Sequence, residues 1–376
     1  MTMRRLVNIY RLGTKEFYSL WHDKILLVVI CWVFTGGIYV IGTATSQELH
    51  NAPIAIVDED ASSLSVRLIQ AFYGPYFQTP SLIPLTAMDH ELDAGRSIFV
   101  LDIPPDFERD VLAGKQPDIQ VNIDATCMSQ AFIGAVYIQN ILANEVAAFV
   151  AWGQETPKSP ITLATRVKFN PNLTSSWFGS VMEIINNITL LSILLVGTAL
   201  VREREHGTLE HLLVMPLSAT EILLAKIWPT SLVILVSVTI SLYGVVRGAL
   251  GVPLAGSIPL FLCGTLLQFF ATACIGIFLG TISRNMPQFG LLMILVILPL
   301  QMLSGSISPR ESMPVAVQDI MLAAPTTHFV NLAQAILYRG ADFSLVWPRF
   351  VAIAAIGAVF FGLALALFRR SLAQSR

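Results

Sequence analysis

Six stretches of the chain, 25–43, 177–201, 227–247, 258–280, 287–304 and 347–368, are long and apolar enough to cross a lipid bilayer. The runs 25–43, 258–280 and 287–304 hold no Asp, Glu, Lys or Arg, and 177–201 holds only Glu183. A segment inside hydrocarbon must satisfy its own backbone polar groups, so uninterrupted apolar runs of this length specify helices. Composition agrees: hydrophobic residues make up 54% and charged residues 13% of 376, with a mean hydropathy of +0.67. An ordinary soluble enzyme and a disordered chain are both excluded. No basic stripe is present, so no nucleic-acid partner is expected.

Residues 1–24 precede the first span. Leu6, Ile9, Tyr10, Phe17, Leu20 and Trp21 share one helical face, with Arg4, Arg5, Arg11 and Lys15 elsewhere, which predicts an interfacial helix on an anionic leaflet. The first span, assigned to 25–46, ends in Thr43-Ala44-Thr45-Ser46, a possible cleavage site. An amphipathic lead is the wrong start for a signal peptide, so a retained span is expected.

Residues 47–176 form the one long polar segment. Strands are predicted at 53–58, 97–102 and 119–123, with helices from Ser62/Ser63 to Ala71, from Pro105-Asp106 to Leu112, and over 129–152. An alternating run follows at 161–169, and Asn170-Pro171-Asn172 turns the chain back. Strands alternating with helices indicate a mixed α/β domain. Cys127 is its only cysteine, so no disulfide closes within it.

Six spans leave both termini on one side. Arg4, Arg5, Arg11, Lys15, Lys24, Arg202, Arg204, Lys226, Arg284, Arg369, Arg370 and Arg376 all fall on that side, against Arg247, Arg310 and Arg339 opposite. The positive-inside rule makes that side cytoplasmic and the α/β domain extracytoplasmic. Residues 177–376 carry the remaining five spans, with an outer region at 305–346. There Val317, Ile320 and Met321, then Phe329, Leu332, Ala333, Ile336 and Leu337, form two short apolar faces, predicting a re-entrant pair. The expected fold is thus an α-helical polytopic membrane protein with six transmembrane helices and an inserted extracytoplasmic α/β domain.

Between the second and third spans the chain becomes charged, over 202–226. Such a cluster cannot sit in hydrocarbon. Gly207 can break the incoming helix; Leu209, Leu212 and Leu213 then form an apolar stripe up to Pro216, and Ser218-x-x-Glu221 is a capping box opening the next helix. Taken alone, this is a short helix lying in the interface. The run Arg202-Glu203-Arg204-Glu205-x-Gly207-Thr208-Leu209-Glu210-x-Leu212-Leu213-Val214-x-Pro216 closely resembles the signature loop of ABC-2 type transporter permeases. In that family the loop is cytoplasmic and docks on a separate ATP-hydrolysing subunit. The pattern Ser304-Gly305, Pro314, Pro325, Arg339-Gly340 resembles the family's outer gate region. The likeness is strongest to the drug-exporter branch of Gram-negative inner membranes, which pairs with an ATPase and a periplasmic adaptor.

The resemblance implies a permease subunit of an ATP-driven exporter, not itself an enzyme. It would sit in a bacterial inner membrane and move a drug-like or amphipathic substrate outward. Arg202, Glu203, Arg204, Glu205, Gly207, Thr208, Leu209, Glu210, Leu212, Leu213 and Pro216 would be its coupling surface. Reversing the charges of Glu203 and Glu205 is then expected to uncouple hydrolysis from export without unfolding. No G-x-x-x-x-G-K-[ST] occurs, and Gly114-Lys115-Gln116 lacks its first glycine and its hydroxyl. Any ATP and magnesium belong on a partner, and no cofactor is expected on this chain. Six spans are few for an enclosed pathway, so a second permease copy or a paralogue is expected.

Within the spans, Glu183 with Asn186, Asn187 and Thr189 is the most polar cluster. It reads either as part of a substrate pathway or as a group at the outer interface. Gln268, Gln288 and Gln301 are weaker candidates. His206 and His211 are wrongly spaced for a zinc pair, and His90-Glu91-x-Asp93 lacks further ligands, so no metal is expected. The main alternative function is a membrane-anchored periplasmic sensor or scaffold without transport, which the number of spans disfavours. A secondary transporter is disfavoured by uncharged spans and the lack of repeats.

Overall fold

The computed structural model describes residues 2–44, 49, 51–124, 128–151, 175–207, 217–308 and 310–374. The chain divides into two compact units: Met1–Thr45 with Lys168–Asn172 and Ser176–Arg376, and Ser46–Val167 with Leu173–Ser175.

In the second unit β1 (Ile54–Asp58), β3 (Phe99–Ile103) and β4 (Gln120–Ile123) fall on the three predicted strands, and a short β2 (Ser81–Leu82) lies where none was predicted. The sheet order is β2-β1-β3-β4, with β1 parallel to β2 and β3 and β4 antiparallel to β3. The sheet is therefore mixed, with helices between its strands. Leu64, Leu68, Phe72, Phe77, Phe99 and Leu101 fill the core.

One helix of this unit packs across the same core. Met128–Val150 sets Ile138 at 1% exposure, with Ile133, Tyr137, Ile141, Leu142 and Val146 alongside. Its portion Ile133–Val150 would pass as a membrane span by length and apolarity alone. One of its faces lies on the sheet core. The alternating run 161–169 and Cys127 lie outside the described residues.

Another helix (Ser63–Ala71) starts at a capping box. Ser62 accepts from Ser65 N–H at 3.1 Å, and the Ser65 hydroxyl accepts from Ser62 N–H at 2.9 Å. Glu108 completes this start from across the fold, accepting the Leu64 N–H and the Ser63 hydroxyl, each at 2.9 Å. These bonds hold its carboxyl below the ordinary glutamate value of 4.5. The contact therefore stabilises fully above that value and is lost as pH falls through the lower folded one. Glu108→Gln should flatten the acid dependence of hydrogen exchange at the Leu64 amide below about pH 4.5. An unchanged pH profile would remove Glu108 as the cause.

The helical unit begins with α1 (Thr2–His22), followed by the first span, α2 (Lys24–Thr43). The next spans are α3 (Ser175–Glu205), α4 (Ala219–Ala249) and α5 (Ile258–Ile282). Then come α6 (Met286–Met302), α7 (Val315–Ile320), α8 (Pro325–Leu337) and α9 (Phe343–Gln374). α5 is central, burying Phe261, Phe269, Ala273, Cys274 and Ile277. α3 crosses it where Gly197, Gly276 and Gly280 bring the two backbones together. α6, with 17 residues, is shorter than the spans before it, and its Pro299 lies inside the helix.

Between α6 and α9, Val315–Ala323 and Pro325–Leu337 are bent by 92°. Pro325 drives the residue before it out of the helical region, and Ala324 is extended at φ −91°, ψ 127°. Two short apolar helices meet there at a sharp break. α8 buries Thr326, Thr327, Phe329, Leu332 and Ile336.

The amphipathic α1 differs from expectation. Leu6, Tyr10 and Trp21 are more than 60% exposed, while the protein-facing stripe runs through Ile9, Leu12, Gly13 and Glu16. Gly13 is buried under the Trp228 indole, whose Nε1 donates to the Ile9 carbonyl at 3.2 Å. α1 therefore docks on α4 along one face and leaves Leu6, Tyr10 and Trp21 exposed on another.

Candidate functional site

The charged run opens inside α3 rather than in a loop. The helix continues through Glu205 and ends at Gly207, whose φ of +68° suits glycine at a helix C-terminus. Successive side chains on a helix point about 100° apart, so the run Arg202–Glu205 reaches several different neighbours. Arg202 is exposed. Glu203 pairs with Lys226 Nζ of α4 at 2.7 Å, and Lys226 also meets Glu16 of α1 at 3.3 Å.

Arg204 Nη1 donates to the Thr281 and Ser283 carbonyls at 3.0 and 2.7 Å, at the C-terminus of α5. Glu205 accepts the N–H of Met286, the first residue of α6, at 2.8 Å. A cation thus sits at a helix C-terminus and an anion at the next N-terminus, each the favourable sign for the helix dipole. The end of α3 is consequently tied to α1, α4, α5 and α6.

Further bonds fasten α1 to the start of α4. Ser218 and Glu221 form the capping box read from the sequence, with Glu221 Oε2 accepting the Ser218 N–H at 2.6 Å. Glu221 also bonds Asn8 of α1. Tyr10 stacks on Trp228 with ring centroids 6.0 Å apart.

Two sequence-level expectations change here. Glu203 is not a free docking charge: its side chain is 14% exposed and that of Lys226 is 1%. Reversing it would set a cation against Lys226, so the double reversal with Glu205 would break the folded end of α3. The connection itself is shorter than 202–226, since helix persists through Glu205 and resumes at Ala219. Thr208, Leu209, Glu210, Leu212, Leu213 and Pro216 lie outside the described residues. Sequence reading missed Glu16, Ser283 and the Met286 N–H as partners. The visible signal was Lys226, a cation in an otherwise apolar stretch.

Towards the other end of α3, Glu183 is half-buried and hydrogen-bonds Asn186 and Asn187. Asn187 Nδ2 donates to the Val33 carbonyl of α2 at 3.2 Å, and Gln301 Nε2 of α6 donates to the Asn186 carbonyl at 3.4 Å. Val33 opens a wide π turn in α2, Val33–Gly37. The cluster therefore faces α2 and α6, whose outer surfaces carry Trp32, Leu291 and Leu295 at 62–71% exposure. Gln268 and Thr189 are bonded at 3.4 Å, tying α5 to α3, whereas Gln288 accepts the Arg284 N–H at the start of α6. No cluster of three or more metal-ligating side chains occurs among the described residues.

Comparison with known proteins covers almost the whole chain. A family model described as "ABC-2 family transporter protein" matches residues 24–366. The inner membrane transport permease YhhJ of Escherichia coli (strain K12) is 59% identical over 98% of this chain and 99% of its own length. The probable multidrug ABC transporter permease YbhR of the same organism is 28% identical over 96% of this chain and 98% of its own. The probable multidrug ABC transporter permease YbhS is 26% identical over 81% of each chain.

Proposed function

The chain belongs to the ABC-2 transporter permease family, and from that premise we propose that it is the membrane half of an ATP-driven exporter whose ATPase is a separate subunit. Its own sequence holds no P-loop, so hydrolysis must come from a partner. The single observation that carries the coupling reading is the end of α3. Arg204 and Glu205 fasten the residues leading into the signature loop to the α5–α6 turn. Glu203 fastens them to α4 and α1. Force applied to the loop by a hydrolysing partner would move five helices together.

In this reading both termini and the signature loop face the cytoplasm and the α/β unit lies outside, as the distribution of Lys and Arg supports. Glu183, Asn186 and Asn187 line the pathway. A carboxylate is costly against lipid, and the exposed faces of α2 and α6 beside it call for a second copy or a paralogue. The relatives named as multidrug permeases support an amphipathic, drug-like substrate. A periplasmic adaptor is the remaining proposed partner.

The test is isolation of the complex from native membranes, with ATP hydrolysis and uptake of a fluorescent amphipathic dye into everted vesicles measured together. Arg204→Ala with Glu205→Gln should keep the ATPase subunit and its hydrolysis while losing dye transport. A chain that purifies without any nucleotide-hydrolysing subunit would overturn the proposal in favour of a sensor or scaffold.

A further inference from the structure

A cavity of about 310 Å³ opens between α1, the start of α2 and the last turns of α3. Its floor is apolar, formed by Leu20, Leu195 and Ala199. Its charged lining is sorted by partner. Glu16 and Glu203 are turned onto the buried Lys226 and are spoken for. Lys15 and Arg202 are exposed and form no ion pair within 4 Å among the described residues, although Lys15 also lies within electrostatic reach of Glu203; His206 completes the polar lining. The three buried charges leave one net negative charge, which the two exposed cations outweigh.

A cavity lined by two exposed cations and by aliphatic side chains, in a bundle of apolar helices, fits one ligand chemistry. We propose that it binds an anionic phospholipid from the adjoining leaflet, the phosphate held by Lys15 and Arg202 and the first acyl carbons lying on Leu20, Leu195 and Ala199. A free phosphate would use the cations and leave the floor empty. A zwitterionic headgroup would need the carboxylates, which Lys226 already holds. The bound lipid would wedge α1 against α3 beside the Glu16–Lys226–Glu203 network. This site is independent of the export reading, because it requires only the described helices and a bilayer.

Native mass spectrometry of the full-length chain in detergent, with phosphatidylglycerol or phosphatidylcholine added, tests this directly. Each surface cation is worth roughly a factor of five towards an anionic lipid, so one retained phosphatidylglycerol is expected at a preference of roughly 25-fold. Lys15→Ala with Arg202→Ala should abolish that preference, and Lys15→Arg with Arg202→Lys should restore it, which controls for folding. Arg369→Ala with Arg370→Ala, cations outside the cavity, should leave it intact. Equal retention of the two lipids would overturn the proposal. So would an equal loss in the Arg369/Arg370 variant, which would mean general surface charge. Displacement of the lipid by inorganic phosphate alone would also refute it, by assigning the cavity to a free anion.

Discussion

Lys226→Met should be among the most destabilising single changes in the helical unit, costing on the order of 3–5 kcal/mol. Lys226 holds Glu203 at 2.7 Å and Glu16 at 3.3 Å while its own side chain is 1% exposed. Methionine matches the length of the stem but removes the ammonium, so two poorly hydrated carboxylates are left facing each other. The loss is not that of a surface ion pair, whose removal costs about 0–1 kcal/mol. It is the cost of uncompensated buried charge.

A second variant separates this cause from simple loss of packing. Glu203→Gln added to Lys226→Met removes one orphaned charge and should recover much of the stability. The measurement is thermal unfolding in detergent together with abundance in the membrane. A single variant that melts like the unsubstituted protein would refute the network's role. A double variant no better than the single would show that the methionine, not the stranded carboxylates, does the damage.

What the sequence made legible was what local spacing decides. Ser62 and Ser65, and Ser218 and Glu221, cap their helices through contacts three residues apart, and Gly207 marks the end of α3 through its own backbone. The bend at Pro325 is equally local. Partners far apart in sequence were not legible. Nothing in the order of residues ties Glu16 to Lys226, or Arg204 to the carbonyls of Thr281 and Ser283.

Faces were harder still, for a reason particular to bilayers. Lipid is as apolar as a protein core, so hydrophobicity does not tell the lipid side of a helix from the protein side. The aromatic stripe of α1 pointed to Leu6, Tyr10 and Trp21, which are exposed, while the stripe facing α4 is centred on a glycine. Ile133–Val150 shows the same ambiguity from the other direction, since a long apolar helix can serve a sheet as well as a membrane. For the candidate site, the sequence identified the charged turn but not the work of each charge. It offered Glu203 as a docking residue, and only burial shows that it belongs to the frame.

Where hydrophobicity is silent, small residues mark the contacts, and this gives the second large effect. A Cβ built on Gly276 would lie 2.6 Å from the Ile193 carbonyl oxygen and 2.9 Å from its Cα. Those are backbone atoms of α3 and cannot rotate aside as a side chain would. A Cβ built on Gly280 would lie 3.0 Å from the Gly197 carbonyl oxygen in the same crossing. Gly276→Val must therefore push α3 and α5 apart, which also separates the Ser192 and Thr272 hydroxyls and the Gln268–Thr189 bond nearby. Overpacking of this kind costs about 1–3 kcal/mol or more, with the upper end expected because neither backbone can yield. Gly290 is the control, since a Cβ added there would meet nothing within 4 Å. Gly290→Ala should be neutral or stabilising by roughly 0.5–1 kcal/mol, through the lower backbone entropy of alanine in a helix. Thermal unfolding of both variants in one detergent decides the matter. If Gly276→Val and Gly290→Ala melt together, the α3–α5 contact is not set by glycine, and the end of α3 would lack a rigid lever on α5.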